Sequence, residues 1–349
     1  MPMPNAPLRF ALTLCLLAAV RPLAGQEGSP EDLARAIASS KLRYDLGENG
    51  APGPVKKPVE ELHCPARSTA QRVVRTAGGK ELKPWSAKAA PRFDEAGKLF
   101  AAQRYAEAGL LYKKALELDP TLPQAHRSLA DTLVKLGRLA EAQDEYVKAL
   151  VYDPSSDAAL KGLADLGAKA GFTVVRHALL PPEGALGEVQ EGRVPIALGP
   201  GEKEWVPYLL CKAVWRNEPS YRARRLGKEG EGAYSWTVQE ETECLVSYLV
   251  GNLGTTETEI QSAAQKARPE STPVEVPVEQ VLAAAPPLTR HLKEAADSGL
   301  LPGYALFAVL GRRCPAAIAV LPDRAQEDLE RYIRRFVIVP GGVTRPAGR

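Results

Sequence analysis

A period of 34 residues recurs in the middle of the chain and constrains its fold more than any other feature. Residues 91–120 and 125–154 align at this offset. The matched positions are Ala96 with Ala130, Tyr105 with Leu139, Ala108 with Ala142, Tyr112 with Tyr146, Ala115 with Ala149, and Pro120 with Pro154. A fixed period of this length is typical of stacked helix pairs, whose main use is to bind other proteins. The sequence therefore predicts a helical repeat block and favours binding over catalysis.

The residue types at these positions resemble the tetratricopeptide repeat (TPR) family. That family has small residues where the two helices of a unit cross, an aromatic residue in the second helix, and a proline that ends it. Two successive units of this chain supply Ala96, Ala108, Tyr112, Ala115 and Pro120, then Ala130, Ala142, Tyr146, Ala149 and Pro154. The usual tryptophan position departs from the family and holds Arg92 and His126. The resemblance implies two complete helical hairpins within residues 89–171.

A third unit begins but is not completed. Leu160, Leu163 and Ala164 fit a first helix, but Gly171 ends it and no second helix follows. Such a stack normally needs three repeats or a cap to bury its faces, so we expect the C-terminal region to cover an end of the block. The turn inside the second unit falls at Gly137, where a left-handed residue is often needed.

The resemblance also implies a concave groove lined by the first helix of each unit. Carried over residue by residue, its lining positions are Ala90, Phe93, Gly97, Phe100 and Ala101, then Gln124, Arg127, Asp131, Val134 and Lys135, then Ala158, Lys161, Asp165, Ala168 and Lys169. We expect an extended peptide segment in this groove, anchored at Phe93 and Phe100. Arg127 and Lys161 would pair with its carboxylates.

Two considerations limit this prediction. Some TPR proteins clamp a terminal carboxylate with asparagines, but the corresponding positions here hold Gly97, Asp131 and Asp165, so that binding mode is not expected. The C-terminal region is also a candidate occupant of the groove, which would then be closed to partners. The resemblance therefore predicts a binding function only if the groove is open.

The N-terminus predicts export. A short segment containing Arg9 is followed by the apolar run Phe10–Val20 and the small residues Ala24 and Gly25. The run is far shorter than the roughly 20 apolar residues that span a bilayer, and its layout is typical of a cleaved secretory signal peptide. We therefore expect residues 1–25 to be removed and the mature protein to be periplasmic or secreted, without a membrane span.

The net charge and the cysteine positions argue against nucleic-acid binding and against a zinc or redox site. Without residues 1–25 the net charge falls from +3 to about +1, which gives no general attraction to nucleic acids. The remaining Cys64, Cys211, Cys244 and Cys314 form no CxxC pair, which argues against a zinc or redox site. Of the three possible disulfide pairings we favour Cys211 with Cys244, each inside an apolar helical pattern, which leaves Cys64 with Cys314. The alternative for Cys211 and Cys244 is a pair of buried free thiols.

Outside the repeat block the pattern changes. Residues 26–88 predict a leader with a short helix to about Arg43 and a Gly/Pro-rich linker over 47–58. Residues 172–340 predict an α+β, mostly helical domain of no recognised family, followed by a flexible tail over 341–349. Its predicted elements are strands at 172–180, 192–198 and 336–339, and helices at 205–217, from 237, at 278–298, at 302–312 and from 323. The whole chain is predicted to be mainly α.

An alternative assigns the function to the C-terminal domain, as an enzyme or a binder of glycan or cell-wall polymer that the repeats support. Aromatic residues from Trp205 to Trp236 are interleaved with arginines, as on surfaces that stack on sugars or bases. The helical spacing of Tyr208, Cys211 and Trp215 favours a buried core instead. No catalytic or nucleotide-binding motif occurs, and we expect neither a cofactor nor a metal.

The sequence thus predicts an exported, non-catalytic protein that binds through its repeat groove. The expected partner is another envelope or secreted protein, or an extended peptide segment, and not nucleic acid. Self-association into a homo-oligomeric scaffold is a further alternative. Neither the partner's identity nor the activity of residues 172–340 follows from the residues alone.

Overall fold

The computed structural model describes most of the chain. The described residues are 30–46, 74–75, 81–82, 89–177, 181–182, 185–199, 201–227, 230, 234, 236–267, 275–313 and 321–341. Among them helices dominate and strands occur only in two-stranded pairs, so the predicted mainly α class is confirmed. The predicted signal peptide, the Gly/Pro-rich linker, Cys64, Cys314 and nearly all of the predicted tail lie outside the described residues.

The repeat block consists of two helical hairpins and a terminal helix, as predicted. Its helices are α2 (Ala89–Ala101), α3 (Tyr105–Leu118), α4 (Pro123–Lys135), α5 (Leu139–Tyr152) and α6 (Asp157–Ala170). The small residues of the repeat pattern are fully buried at the helix crossings, namely Ala96, Ala108, Ala115, Ala130, Ala142 and Ala149. Because alanine adds little volume, the two helices of each hairpin approach closely along the same matched positions.

The turns of the block follow the repeat. Gly137 joins α4 to α5 with φ of +75°, and Gly171 ends α6 with φ of +80°. Both lie in the left-handed region that glycine adopts without strain, so the left-handed turn predicted at Gly137 is confirmed. The equivalent turn of the first unit places Gln103 at φ of +60°. The period therefore preserves the turn geometry even where the glycine is missing.

The C-terminal region is mostly helical. In chain order it contains β4 (Phe172–Val174), β5 (Arg193–Ile196), α7 (Val206–Asn217), α8 (Pro219–Leu226), α9 (Val238–Ala267), α10 (Val278–Ala284), α11 (Pro287–Asp297), α12 (Leu301–Tyr304), α13 (Gly311–Arg313), α14 (Asp323–Tyr332) and β6 (Ile338–Pro340). Residues Ala305–Leu310 and Ile333–Val337 are π-helical. The pair of α7 and α9 forms its centre, with Tyr208, Trp215 and Tyr248 buried between neighbouring elements.

Several predicted boundaries in this region were wrong for identifiable reasons. The helix predicted over 278–298 is two helices, because Pro286 and Pro287 interrupt the backbone hydrogen bonds between α10 and α11. The closing strand predicted from Phe336 begins only at Ile338, because the helix continues through the π-helical turn to Val337. Apolar β-branched residues occur on both sides of that boundary, so composition did not reveal it.

Part of the predicted leader belongs to the C-terminal region. Helix α1 (Pro30–Ser39) contacts α7 and α9, and the strand β1 (Arg43–Leu46) pairs in parallel with β5. Side-chain contacts fasten this segment: among them, Asp32 lies 3.2 Å from Arg225, and the Tyr44 hydroxyl donates to Glu218 at 2.9 Å. A further short pair joins β2 (Val74–Arg75) to β3 (Glu81–Leu82).

The C-terminal region covers the end of the stack and the α5 part of its outer face, which we define as the surface formed by α3 and α5. Strand β4 follows α6 directly and pairs with β6, which returns the end of the chain to the repeat block. Helix α14 packs on α5, and Arg334 pairs with Asp144 at 2.9 Å. Gly311 fits closely at Pro154, where an added Cβ would lie 2.5 Å from the proline ring. The expected cap is therefore present.

Candidate protein-binding groove

The groove predicted along α2, α4 and α6 is open in the structure. Helix α4 contacts both α2 and α6, so the first helices of the three units lie side by side. The C-terminal contacts described above go to the outer face and to the end of the stack instead. Of the predicted lining residues, those exposed to solvent are Ala101, Gln124, Lys135, Ala158, Lys161, Asp165, Ala168 and Lys169. The alternative in which the C-terminal region fills the groove is therefore wrong for the described residues.

The first unit forms an apolar end of the groove. Phe93 packs on the ring of Tyr112 with centroids 5.5 Å apart, and Phe100 meets the ring of Tyr105 edge-on at 5.3 Å. Both phenylalanines are half-buried, so each ring is oriented by a tyrosine of α3 and keeps part of its surface in contact with solvent. The two anchors predicted from the sequence therefore line the groove on a rigid support.

The second and third units form a charged end. Arg127 pairs with Asp131 at 2.8 Å, and Lys161 pairs with Asp165 at 3.1 Å, each four residues along the same helix. The two cations predicted to receive partner carboxylates thus already have partners within their own helices. Val134 occupies the repeat position of Phe100 and is half-buried as well. The pair of Lys161 and Asp165 is exposed and is worth at most about 1 kcal/mol, so a ligand can replace this aspartate at little cost, whereas the pair of Arg127 and Asp131 is half-buried.

Tyr146 connects the groove to the interior of the stack. It projects from α5 between α4 and α6 and donates its hydroxyl to Asp131 at 2.5 Å. Burial, reinforced by this hydrogen bond, raises the pKa of Tyr146 well above its usual value, so the hydroxyl stays a donor. Gly162 on α6 leaves room for the ring, because a Cβ there would lie 2.5 Å from it. Asp131 is therefore held by both Arg127 and Tyr146.

His126, the departure from the family's tryptophan position, has a structural role. Its Nδ1 lies 2.6 Å from Glu145 on α5, and its Nε2 donates to the carbonyl of Pro120 at 2.8 Å. The ring also stacks on Tyr152. Burial disfavours the ionised Glu145, but hydrogen bonds from His126 and Lys148 outweigh it and lower the pKa of this carboxyl. The repeat pattern marks the position of His126, but nothing in the sequence indicates Glu145 as its partner.

The aromatic and basic stretch of the C-terminal region is core rather than a binding surface. Trp205, Tyr208, Trp215 and Tyr221 are buried. Their hydroxyl and indole groups point inward, as in the bond from Tyr208 to Glu241 at 2.7 Å. Rings in this position cannot stack on a sugar, which removes the main support for a glycan-binding surface here.

A buried charge cluster lies beneath that stretch and was missed by the sequence analysis. Lys212 on α7 is 2% exposed and contacts Glu240 and Glu241, whose side chains project from the start of α9. Burial alone would lower the pKa of Lys212, but the two carboxylates raise it well above its usual value. The same burial raises the pKa of Glu240 despite the lysine. Closed off from solvent, this cluster joins two helices and offers no access to a substrate.

The predicted disulfide between Cys211 and Cys244 is not formed. The two residues do face each other on α7 and α9, as expected, but both are free, buried thiols. Burial, together with the hydrogen bond to Cys211, raises the pKa of the Cys244 thiol well above its usual value. A neutral buried thiol behaves as a small apolar side chain and is a poor nucleophile. The apolar pattern that suggested a disulfide is therefore explained by packing.

The described residues show neither a membrane-spanning helix nor a metal site. In the described part of the chain, no helix has the length and apolar character needed to cross a membrane. No group of three or more histidine, cysteine, aspartate or glutamate side chains is arranged to hold a metal ion among those same residues. Among the features described above, the groove is the one whose lining is both exposed and chemically varied.

Comparison with known proteins agrees with this geometry. The model of the tetratricopeptide repeat family matches residues 99–166, from the end of α2 through most of α6. No curated protein matches the chain. The family match covers the middle of the groove, from Phe100 to Asp165, and leaves Phe93, Lys169 and the C-terminal region outside it. Over residues 99–166 the repeat block therefore matches the tetratricopeptide repeat family, whose modules commonly bind other proteins.

Proposed function

We propose that this protein is an exported, non-catalytic adaptor that binds another envelope or secreted protein through the concave groove of its TPR module. The observation that carries the proposal is the open groove, whose lining stays exposed while the C-terminal region packs on the outer face. A module that used its repeats only for internal support would be expected to bury this face. Export is supported by the apolar run Phe10–Val20 and the small residues that follow it.

The absence of catalysis is part of the proposal. Its support is the burial of Lys212, Glu240 and Glu241, the most unusual cluster of ionisable groups in the described chain, in a position that no substrate reaches. Activity assays on the purified chain with general hydrolase substrates test it. Turnover that survives replacement of the groove residues would place the function in the C-terminal region.

Charge reversal in the groove tests the binding role. We expect Arg127→Glu with Lys161→Glu to weaken capture of the native partner after crosslinking in intact cells, with the thermal midpoint of the chain nearly unchanged. Phe100→Ala should weaken capture through loss of the apolar anchor. If capture survives all three changes, the groove is not the site. Light scattering of the purified chain distinguishes a separate partner from self-association.

Export has its own measurement. We expect the protein in the periplasmic or secreted fraction to begin near Gln26, as read by N-terminal sequencing, with the cut displaced by at most a residue or two. An unprocessed chain confined to the cytoplasm would contradict this part of the proposal while leaving the groove unaffected.

A further inference from the structure

The two ends of the groove differ in chemistry, and the charged end carries more cationic than acidic side chains. Four lining residues of α4 and α6 are cationic, and only two are acidic. Asp131 and Asp165 are each paired with a cation of their own helix, Arg127 and Lys161. The two cations left over are Lys135 and Lys169. Both are exposed, and neither makes an ion pair among the residues that the structure describes.

Lys135 and Lys169 occupy the same repeat position, 34 residues apart. They lie on helices in direct contact, so their backbones are separated by roughly 8–10 Å, the usual distance between packed helices. An extended peptide advances about 3.3 Å per residue, and side chains two residues apart point to the same side. In the other extended form, the polyproline II helix, side chains three residues apart share one side and are about 9 Å apart. Carboxylates two residues apart on a strand-like peptide, or three apart on a polyproline II peptide, therefore match the spacing of the two lysines.

We propose that the groove binds an extended acidic segment of its partner, with carboxylates two or three residues apart over Lys135 and Lys169. An apolar side chain at one end of the segment packs on Phe93 and Phe100. Lys135 and Lys169 attract the acidic residues of the segment by charge complementarity, and the half-buried phenylalanines bind its apolar side chain. This inference rests on the proposed function, because it names the chemistry of the partner for the same groove.

The test selects binders from a displayed library of random twelve-residue peptides, with the purified full chain as bait. We expect the selected peptides to share acidic residues two or three apart and an apolar residue several positions away. A representative synthetic peptide should bind roughly tenfold more weakly to the variant Lys135→Glu with Lys169→Glu, since two exposed ion pairs become repulsive. Its affinity should also fall as salt is raised, because exposed charges are screened.

A matched control carries the same charge change on the other side of the module. Lys113 and Lys114 are exposed on α3, which belongs to the outer face. We expect Lys113→Glu with Lys114→Glu to leave the peptide affinity within twofold. The reversed groove variant should in turn select peptides with basic residues at the same spacing, a result that loss of folding cannot produce.

The outcomes separate this inference from the function on which it rests. Peptides without acidic residues that still depend on Phe100 would overturn the acidic segment and leave the groove as the binding site. Peptides that bind both lysine variants and Phe100→Ala with unchanged affinity would overturn the groove itself. A library that selects no peptide above background also counts against the inference, because an open groove of this chemistry should bind its segment without further partners.

Discussion

At the scale of single residues, the repeat works through a few side chains that join neighbouring helices. Tyr146 is the clearest case, since it reaches from α5 to Asp131 on α4 and lies against Gly162 on α6. The equivalent Tyr112 of the first unit lies near Gly97 at a distance that leaves room for a methyl group. Gly97 and Gly162 thus differ in the room that each leaves beside a tyrosine of the repeat: Gly97 has space for a methyl group and Gly162 has none.

This difference gives a prediction for two glycine substitutions. Gly162→Ala would put a Cβ within 2.5 Å of the Tyr146 ring and displace it from Asp131, so we expect a loss of about 1–3 kcal/mol in the free energy of unfolding. Gly97→Ala is the matched control, because its Cβ would lie 3.8 Å from the Tyr112 hydroxyl. It should stabilise the helix by about 0.5–1 kcal/mol. Denaturant unfolding measures both, and equal effects of the two changes would contradict this account.

The His126–Glu145 pair predicts a dependence on pH. A carboxyl group with a lowered pKa in the folded state contributes stability above its unfolded pKa of about 4.3, and that contribution is lost as pH falls through the folded pKa. Glu145→Gln should therefore cost about 1.5–3 kcal/mol near pH 6 and progressively less at more acidic pH. Glu141→Gln is the control, since its exposed pair with Arg138 should matter by less than about 1 kcal/mol. A cost for Glu145→Gln that stays constant down to pH 3 would refute the assignment.

At the scale of elements, the C-terminal region depends on one contact between helices. The α7–α9 pair contains Lys212, Glu240 and Glu241 in a closed environment, with Tyr234 donating to Glu240 and Trp236 to Glu241. A buried charge is tolerated only when its partners remain, because water cannot replace them. The cluster therefore fixes how α9 lies on α7.

Removal of the lysine tests this contact. We expect Lys212→Met to destabilise the protein by about 3–5 kcal/mol, because two carboxylates would remain buried without their cation. The triple change Lys212→Met, Glu240→Gln and Glu241→Gln should recover part of that loss by removing the uncompensated charges. Lys203→Met, at an exposed position, is the control and should change the free energy of unfolding very little. If Lys212→Met behaves like this control, the cluster does not hold the helices together.

Some elements could be predicted from the sequence, and others could not. The helices of the repeat block were predictable because each unit repeats its own local contacts, so small residues such as Ala96 and Ala130 mark the same crossing twice. The groove residues followed from that register. The parallel pairing of Tyr44 with Val194 was not predictable, since the two residues are far apart in sequence and neither strand carries a local signal for its partner. The same holds for Lys212, which meets its carboxylates only through the tertiary fold.

At the scale of the whole molecule, the arrangement leaves the groove free. Strands β4 and β6 close the end of the stack, α14 covers α5 on the outer face, and α1 and β1 complete the C-terminal region from the other end of the chain. The contacts of β4, β6 and α14 cap the short stack without using its concave side. A binding module supported in this way keeps its rigid groove while presenting it to a partner.

Site-specific photo-crosslinking in intact cells tests this central claim most directly. A photoreactive amino acid is placed at position 135 or 169 in the groove, or at position 110 on the outer face, where Leu110 is 61% exposed. We predict a crosslinked protein partner from positions 135 and 169, competed by an acidic peptide selected as above, and no such product from position 110. Crosslinks that form from position 110 and not from the groove would contradict the account.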